Sequence, residues 1–389
     1  MKLNKGYFYF LVLCLCLFIG ITGCAEKEVE QADTNSSKED HQVDAVEVEK
    51  NVITDQNNRE VIVPENMERV VMTALPLPSI YALTGASVDK IVGMHPGAKS
   101  AIENSVMAKM APKLLEVETD FIEGTDLNIE EVLKLKPDLA FYWGSYTNQE
   151  RQWNEVGIPA IAVKTQGEGD ALQTLSSWLE IFGKVFHKES EVEKVIEYGE
   201  KALNDIQEET RGISEDEKTK SLILFKHSEA EITVPGKGHY GQFWIEATGG
   251  YNTAREIDVT ANVSMEQIYK WNPEVIFISS FTQTMPEDLY ENTIPGQDWS
   301  KVDAVKKKQV YKIPVGVYRW YPPSGDVPLM IKWMAKHQYP DVFSYINLED
   351  EMKRYYEEFY GYGLSTDEIN TILNPTKETA QGTGGLSKQ

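Results

Sequence analysis

Aromatic and cationic side chains recur together along this chain. Trp143 lies near Tyr146, His239 adjoins Tyr240, and Tyr318-Arg319-Trp320 are consecutive, while His95 and Lys99 form a further polar pair. Flat rings offer apolar area at little entropic cost, and guanidinium or ammonium groups neutralise carboxylate, hydroxamate or oxoanion oxygens. The set suits a compact anionic ligand such as a metal chelate. It does not suit a bare Zn²⁺ or Ca²⁺ ion, because no His-x-x-x-His pair, cysteine cluster or dense carboxylate set occurs. A metal would arrive inside its own chelator. Met94 and His95 could both bind haem iron, but neighbours on an extended segment point in opposite directions. A Met94–His239 pair across a cleft stays open, as does a core role for Trp143 and a surface role for His239. There is no Gly-x-Ser-x-Gly elbow, P-loop or zincin pair, so an enzyme is not expected and no cofactor is implied.

The elements that must position these residues are marked by a duplication. Asn128-Ile129-Glu130 through Lys136-Pro137-Asp138-Leu139 is echoed by Ser264-Met265-Glu266 through Asn272-Pro273-Glu274-Val275, at a constant offset of 136 residues. In each copy Asn or Ser can cap a helix, a Glu two residues on meets the positive end of its dipole, and Pro stops it before a buried strand. Two copies, one in each half, predict two α/β lobes of similar plan.

Alternating strands and helices around these copies predict mainly parallel sheets. A β-hairpin opens the body at Val52 to Val63. Strands follow at Arg69–Met72, Ile91–Met94 and Ala160–Val163, and again at Ser221–Phe225 and Val310–Ile313. Helices at Asp170–Lys184 and Glu189–Arg211 interrupt the alternation and mark the boundary between halves. The division reads as a first lobe over 51–168, a connecting helix over 169–187 and a second lobe over 188–373. Ligands of open α/β sheets bind at the carboxyl ends of strands. That rule selects the loops 73–76, 94–99, 143–147, 237–240, 279–282 and 318–321, which carry the aromatic and cationic residues named above.

The termini bear on location. Lys2 and Lys5 precede an apolar run that ends in Ile21-Thr22-Gly23-Cys24, the order of a secretory signal (1–23) with a lipoprotein processing box, so Cys24 is the expected lipid-bearing residue. Cys14 and Cys16 leave with the signal, which rules out an internal disulfide in the mature chain. Residues 24–50 read as a flexible acidic tether, with nine Asp or Glu against three Lys, and 374–389 as a disordered tail. A formal net charge of −23 argues against nucleic acid as a partner.

The body from about Val52 to Leu373 resembles the substrate-binding lipoproteins of ABC importers for iron chelates, haem and cobalamin. The resemblance is carried by Ile53-Thr54-Asp55, Glu68-Arg69-Val70-Val71, Asn128-Ile129-Glu130 and Lys136-Pro137-Asp138. Gly249-Gly250-Tyr251-Asn252, Ser264-Met265-Glu266-Gln267, Trp271-Asn272-Pro273, Trp299 and Val310-Tyr311-Lys312-Ile313-Pro314 continue it. It implies two lobes joined by one long helix, a ligand cleft between them, and a monomer that delivers its cargo to a permease dimer with its ATPase. It also implies docking on permease arginines through one glutamate per lobe, here Glu130 and Glu266. The implied cargo is a siderophore-type iron chelate, with haem, cobalamin or molybdate/tungstate as alternatives; a surface sensory lipoprotein is a remoter alternative to transport. The aromatic Tyr318–Pro323 stretch departs from the loop of a hydroxamate binder.

Overall fold

The computed structural model describes residues 51–379. The signal, Cys24 and the tether lie outside the described residues, as does the tail beyond residue 379.

In the first half, β1 (Val52–Thr54) and β2 (Glu60–Ile62) form the expected hairpin. β3 (Val70–Met72), β4 (Ile91–Met94), β7 (Leu139–Trp143) and β8 (Ala160–Val163) make a parallel sheet in the order β4-β3-β7-β8. A short hairpin, β5 (Ile122–Glu123) with β6 (Asp126–Leu127), precedes the helix Ile129–Leu135. In the second half β9 (Lys220–Leu224), β12 (Tyr251–Asn252), β14 (Val275–Ile278) and β15 (Val310–Lys312) form a second parallel sheet, ordered β12-β9-β14-β15. Beside it, β10 (Lys226–Ser228), β11 (Glu231–Pro235) and β13 (Thr260–Asn262) build an antiparallel sheet that the alternation did not announce.

The duplicated joint recurs in the structure. The helices Ile129–Leu135 and Met265–Trp271 both end on a left-handed residue, Lys136 (φ 46°) and Asn272 (φ 40°), each followed by proline. The strand after each helix, β7 or β14, is third in its sheet. Even the next residue is used alike: the Asp138 carboxylate accepts the Arg69 N–H at 2.9 Å, and Glu274 accepts that of Lys220 at 3.1 Å. Each carboxylate thus serves the first residues of the neighbouring strand. The caps differ. Asn128 accepts the Glu131 N–H at 3.3 Å, as expected, whereas the Ser264 hydroxyl caps no backbone and instead bonds the Glu266 carboxylate.

Between the sheets both expected helices form, Ala171–Phe186 and Glu189–Thr210, separated by left-handed His187. The first packs on the helix Leu77–Ala82 and β1 of the first half and on the helices Tyr240–Ala247 and Val327–Gln338 of the second. Strand periodicity sorts the core. Phe141, Ile161, Ile223 and Phe277 face one continuous apolar cluster shared by both halves, while Ala140 and Tyr142 face an outer cluster of the first half and Leu222 and Ile276 one of the second.

Candidate ligand-binding cleft

A cleft of about 660 Å³ opens at the carboxyl ends of both parallel sheets. Leu75 and Pro76 follow β3, Trp143, Ser145 and Tyr146 end and follow β7, and Lys164 and Thr165 follow β8. From the second half come Phe225 and Lys226 after β9, Phe281 after β14, Tyr318, Pro322 and Pro323 after β15, and Tyr240 from the start of the helix Tyr240–Ala247. The rings brace each other. Trp143 meets Trp178 edge-on at 5.6 Å, and Tyr321 backs Tyr240 at 4.9 Å and Phe225 at 5.5 Å.

The sequence candidates divide into those the structure brings to the cleft and those it does not. Trp143, Tyr146, Tyr240 and Tyr318 line it. His239 stands behind Tyr240: its Nδ1 accepts the Gly241 N–H at 3.0 Å, so it caps a helix, and burial pushes its pKa down to about 4. The ring is therefore neutral at pH 7. Arg319 is 1% exposed, donates to the Ser280 carbonyl at 2.8 Å and lies over the Phe281 ring at 5.5 Å. It holds the wall from behind. Burial also pushes the neighbouring Tyr318 hydroxyl up to about 12. Trp320 is fully buried and donates its Nε1–H to Asp326 at 2.8 Å.

His95 and Lys99 are not in an open exit loop. Proline at the first helical position and His95 as its cap start the helix Pro96–Glu103 immediately after β4. His95 Nδ1 accepts the Gly97 N–H at 2.9 Å, leaving Nε2–H for the Gly124 carbonyl at 3.3 Å. Lys99 turns away to donate to the Val117 carbonyl at 3.1 Å. The exit loop expected over 237–240 falls instead at 236–239, since β11 runs to Pro235 and the next helix begins at Tyr240.

Two lining cations, Lys164 and Lys226, escaped the sequence reading. Each directly follows an apolar strand run, Ala160–Val163 and Leu222–Phe225, so the carboxyl-end rule could have found them. A further buried cation, Lys312, donates to the carbonyls of Ser279, Thr282 and Thr284 at 2.9, 2.5 and 2.9 Å and fixes the loop that carries Phe281. Desolvation pulls its pKa down to about 7. Among the described residues no group of three or more His, Cys, Asp or Glu side chains is placed to hold a metal, and no helix is long and apolar enough to cross a membrane.

The periplasmic binding protein family model matches residues 73–315, more than half of the chain. The chain belongs to the periplasmic binding protein family. It is 26% identical to the molybdate-binding protein MolA of Haemophilus influenzae over 81% of this chain and 92% of that one. It is 24% identical to the ABC transporter substrate-binding lipoprotein YvrC of Bacillus subtilis over 88% and 99%. Among solved structures, a periplasmic solute binding protein from Veillonella parvula matches with 34% identity and a TM-score of 0.76, covering 85% of this chain and 99% of that one. The fold extends to the vitamin B12 binding protein BtuF of Vibrio cholerae, at 20% identity, TM-score 0.53, and 70% and 97% coverage. The two-lobed α/β architecture and the family resemblance expected from the motifs both hold.

Proposed function

We propose that this protein captures a compact anionic iron chelate of siderophore type and delivers it to the permease of an ABC importer, held to the membrane by lipid on Cys24 and acting as a monomer. One observation carries the reading: a cleft of about 660 Å³ walled by aromatic rings, with lysines and no carboxylate among its lining residues. Pockets for drug-sized ligands span roughly 300–1,000 Å³, so this one accommodates a whole chelate. Rings supply stacking area, and ammonium groups meet the anionic donors left on the chelate surface. Glu130 and Glu266, exposed at the first turns of the duplicated helices, are the proposed docking handles for a two-fold permease.

A second reading, a small oxoanion such as molybdate, is supported by the 26% identity to MolA. A bare oxoanion would fill little of the cleft, so water or inward movement of the walls would have to complete its shell. Titration of the purified protein with ferric citrate, a ferric tris(catecholate), haem, cyanocobalamin and molybdate, followed by Trp143 and Trp178 fluorescence, tests both. Saturable binding of a ferric chelate alone is the expected result. Binding of molybdate alone selects the second reading, and binding of none ends the transport reading of this cleft.

A further inference from the structure

Among the described residues that line the cleft, only Lys164 and Lys226 carry charge, and they come from opposite sheets. Lys164 leaves β8 in the first half. A Cβ on Gly144 would stand 2.9 Å from its Cε and 3.1 Å from its Cγ, so the lysine stem crosses the β7 exit turn between Trp143 and Ser145 over a glycine that makes room for it. Lys226 opens β10 in the second half, with its ammonium 5.7 Å from the centre of the Phe225 ring. Neither has a carboxylate within 4 Å among the described residues. Lys134, Lys201 and Lys353, by contrast, pair with acids on their own helices. In a chain of net charge −23, an acid-free cavity with a cation on each wall is a selective arrangement.

We propose that Lys164 and Lys226 act together as a two-sided clamp that selects a ligand with anionic groups on opposite faces, carrying two or more negative charges. The inference rests on the anion-capture reading above and narrows its substrate class. A monoanion satisfies one ammonium and leaves the other idle. A ligand with two anionic faces engages both at once and ties the halves together through its own body, while the rings lining the cleft hold its apolar part. A neutral ligand gains nothing from either. The clamp therefore makes a specificity prediction that differs from simple attraction by an electropositive cleft.

The test uses the mature protein, Lys164→Met, Lys226→Met and the double variant. Methionine keeps the stem length, and both lysines are at the cleft surface, so the fold is not at stake. Lys201→Met, which changes net charge equally on a remote helix, is the control. Ferric citrate, the ferric tris(catecholate) and molybdate are the multiply charged probes, and cyanocobalamin is the uncharged one. Each single substitution is expected to weaken the best multiply charged probe at least tenfold, the effect of losing one charge-assisted contact. The double variant is expected to lose at least a hundredfold and most of the salt dependence of binding. Lys201→Met should change affinity less than twofold. An unaltered affinity in either single variant overturns the clamp while leaving anion capture intact, and equal losses in Lys201→Met reduce it to bulk charge. A wild-type protein that binds only cyanocobalamin, or no probe, overturns the clamp together with the reading beneath it.

Discussion

The two halves share a joint and a sheet order but treat buried charge differently. In the first half the buried Asp55 carboxylate is matched by Arg59 at 2.5 Å, and the interior behind β3 is a neutral chain in which Thr73 donates to Gln149 and Gln149 to the Thr125 carbonyl. In the second half Lys312 sits on backbone carbonyls, Arg319 lies against Phe281 and Ser280, and fully buried Asp326 collects the Val317 N–H, the Trp320 Nε1–H and the Tyr356 hydroxyl. Ion pairing stabilises the first arrangement directly. The second depends on dipoles to hold charges in a dry interior. Those charges fix the two loops that carry Phe281 and Tyr318, so the half with the costlier interior also supplies more of the cleft's aromatic wall.

The largest expected effect concerns where the halves should be equal. Glu130→Ala with Glu266→Ala is expected to abolish uptake in cells that carry the cognate permease while ligand affinity stays unchanged. Each single variant should fall between. Full uptake by the double variant leaves the glutamates with only a helix-dipole role. Loss from one single variant alone breaks the symmetry of the two handles.

Next comes the pH response of the second half. Burial raises Asp326 from its ordinary 3.8 to about 7, outweighing three donors that favour the carboxylate. Between these values the folded state holds a proton that the unfolded state has lost, so this group's contribution to stability falls as pH rises from 4 to 7. Lys312, lowered from 10.5 to about 7, works in the opposite direction above neutrality: the unfolded state holds the extra proton, and stability rises from 7 towards 10. At about 1.4 kcal/mol per pKa unit, each effect is bounded by about 5 kcal/mol. Denaturant midpoints for Asp326→Asn, minus wild type, should climb between pH 4 and 7 and stay level above. The Lys312→Met difference should instead be level below pH 7 and decline above. Flat difference curves would place these charges in contact with water and remove the contrast between the halves.

Arg319 shows what the sequence could and could not reveal. Its neighbours Tyr318 and Trp320 mark a ligand loop, and a cation there reads as a ligand contact whose removal leaves the melting temperature unaltered. The structure leads to a different expectation for stability, because Arg319 is 1% exposed. Arg319→Ala should lower stability by about 2–3 kcal/mol, from an orphaned Ser280 carbonyl and a cavity beside Phe281. Any loss of affinity would then follow from the displaced Phe281 loop. An unchanged unfolding curve would put the guanidinium back in the cleft.

The same division runs through the rest of the site. Strands, the duplicated joints and the carboxyl-end loops are local patterns, and Trp143, Tyr146, Tyr240 and Tyr318 were found from them. Whether a polar side chain turns toward the ligand or toward backbone depends on partners far along the chain. Lys99 meets Val117, Trp320 meets Asp326, and the β10–β11–β13 arm that presents Lys226 comes from pairing that periodicity does not encode.

The smallest effect separates the halves at their most similar point. Asn128 accepts the Glu131 N–H, so Asn128→Ala should cost about 1 kcal/mol of stability, as loss of a helix cap does. Ser264 at the matching position caps no backbone group. Its hydroxyl bonds the Glu266 carboxylate and, with a backbone N–H, holds that acid below its ordinary pKa. Ser264→Ala should therefore cost only a few tenths of a kcal/mol, within the range of ordinary surface substitutions, while the Glu266 pKa rises toward its ordinary value. Paired denaturant curves with carboxylate titration by NMR resolve the two. Equal costs, with Glu266 unmoved, would make the joints equivalent in energy as well as in shape. The second handle would then lack the serine's help in staying charged for its proposed meeting with a permease arginine.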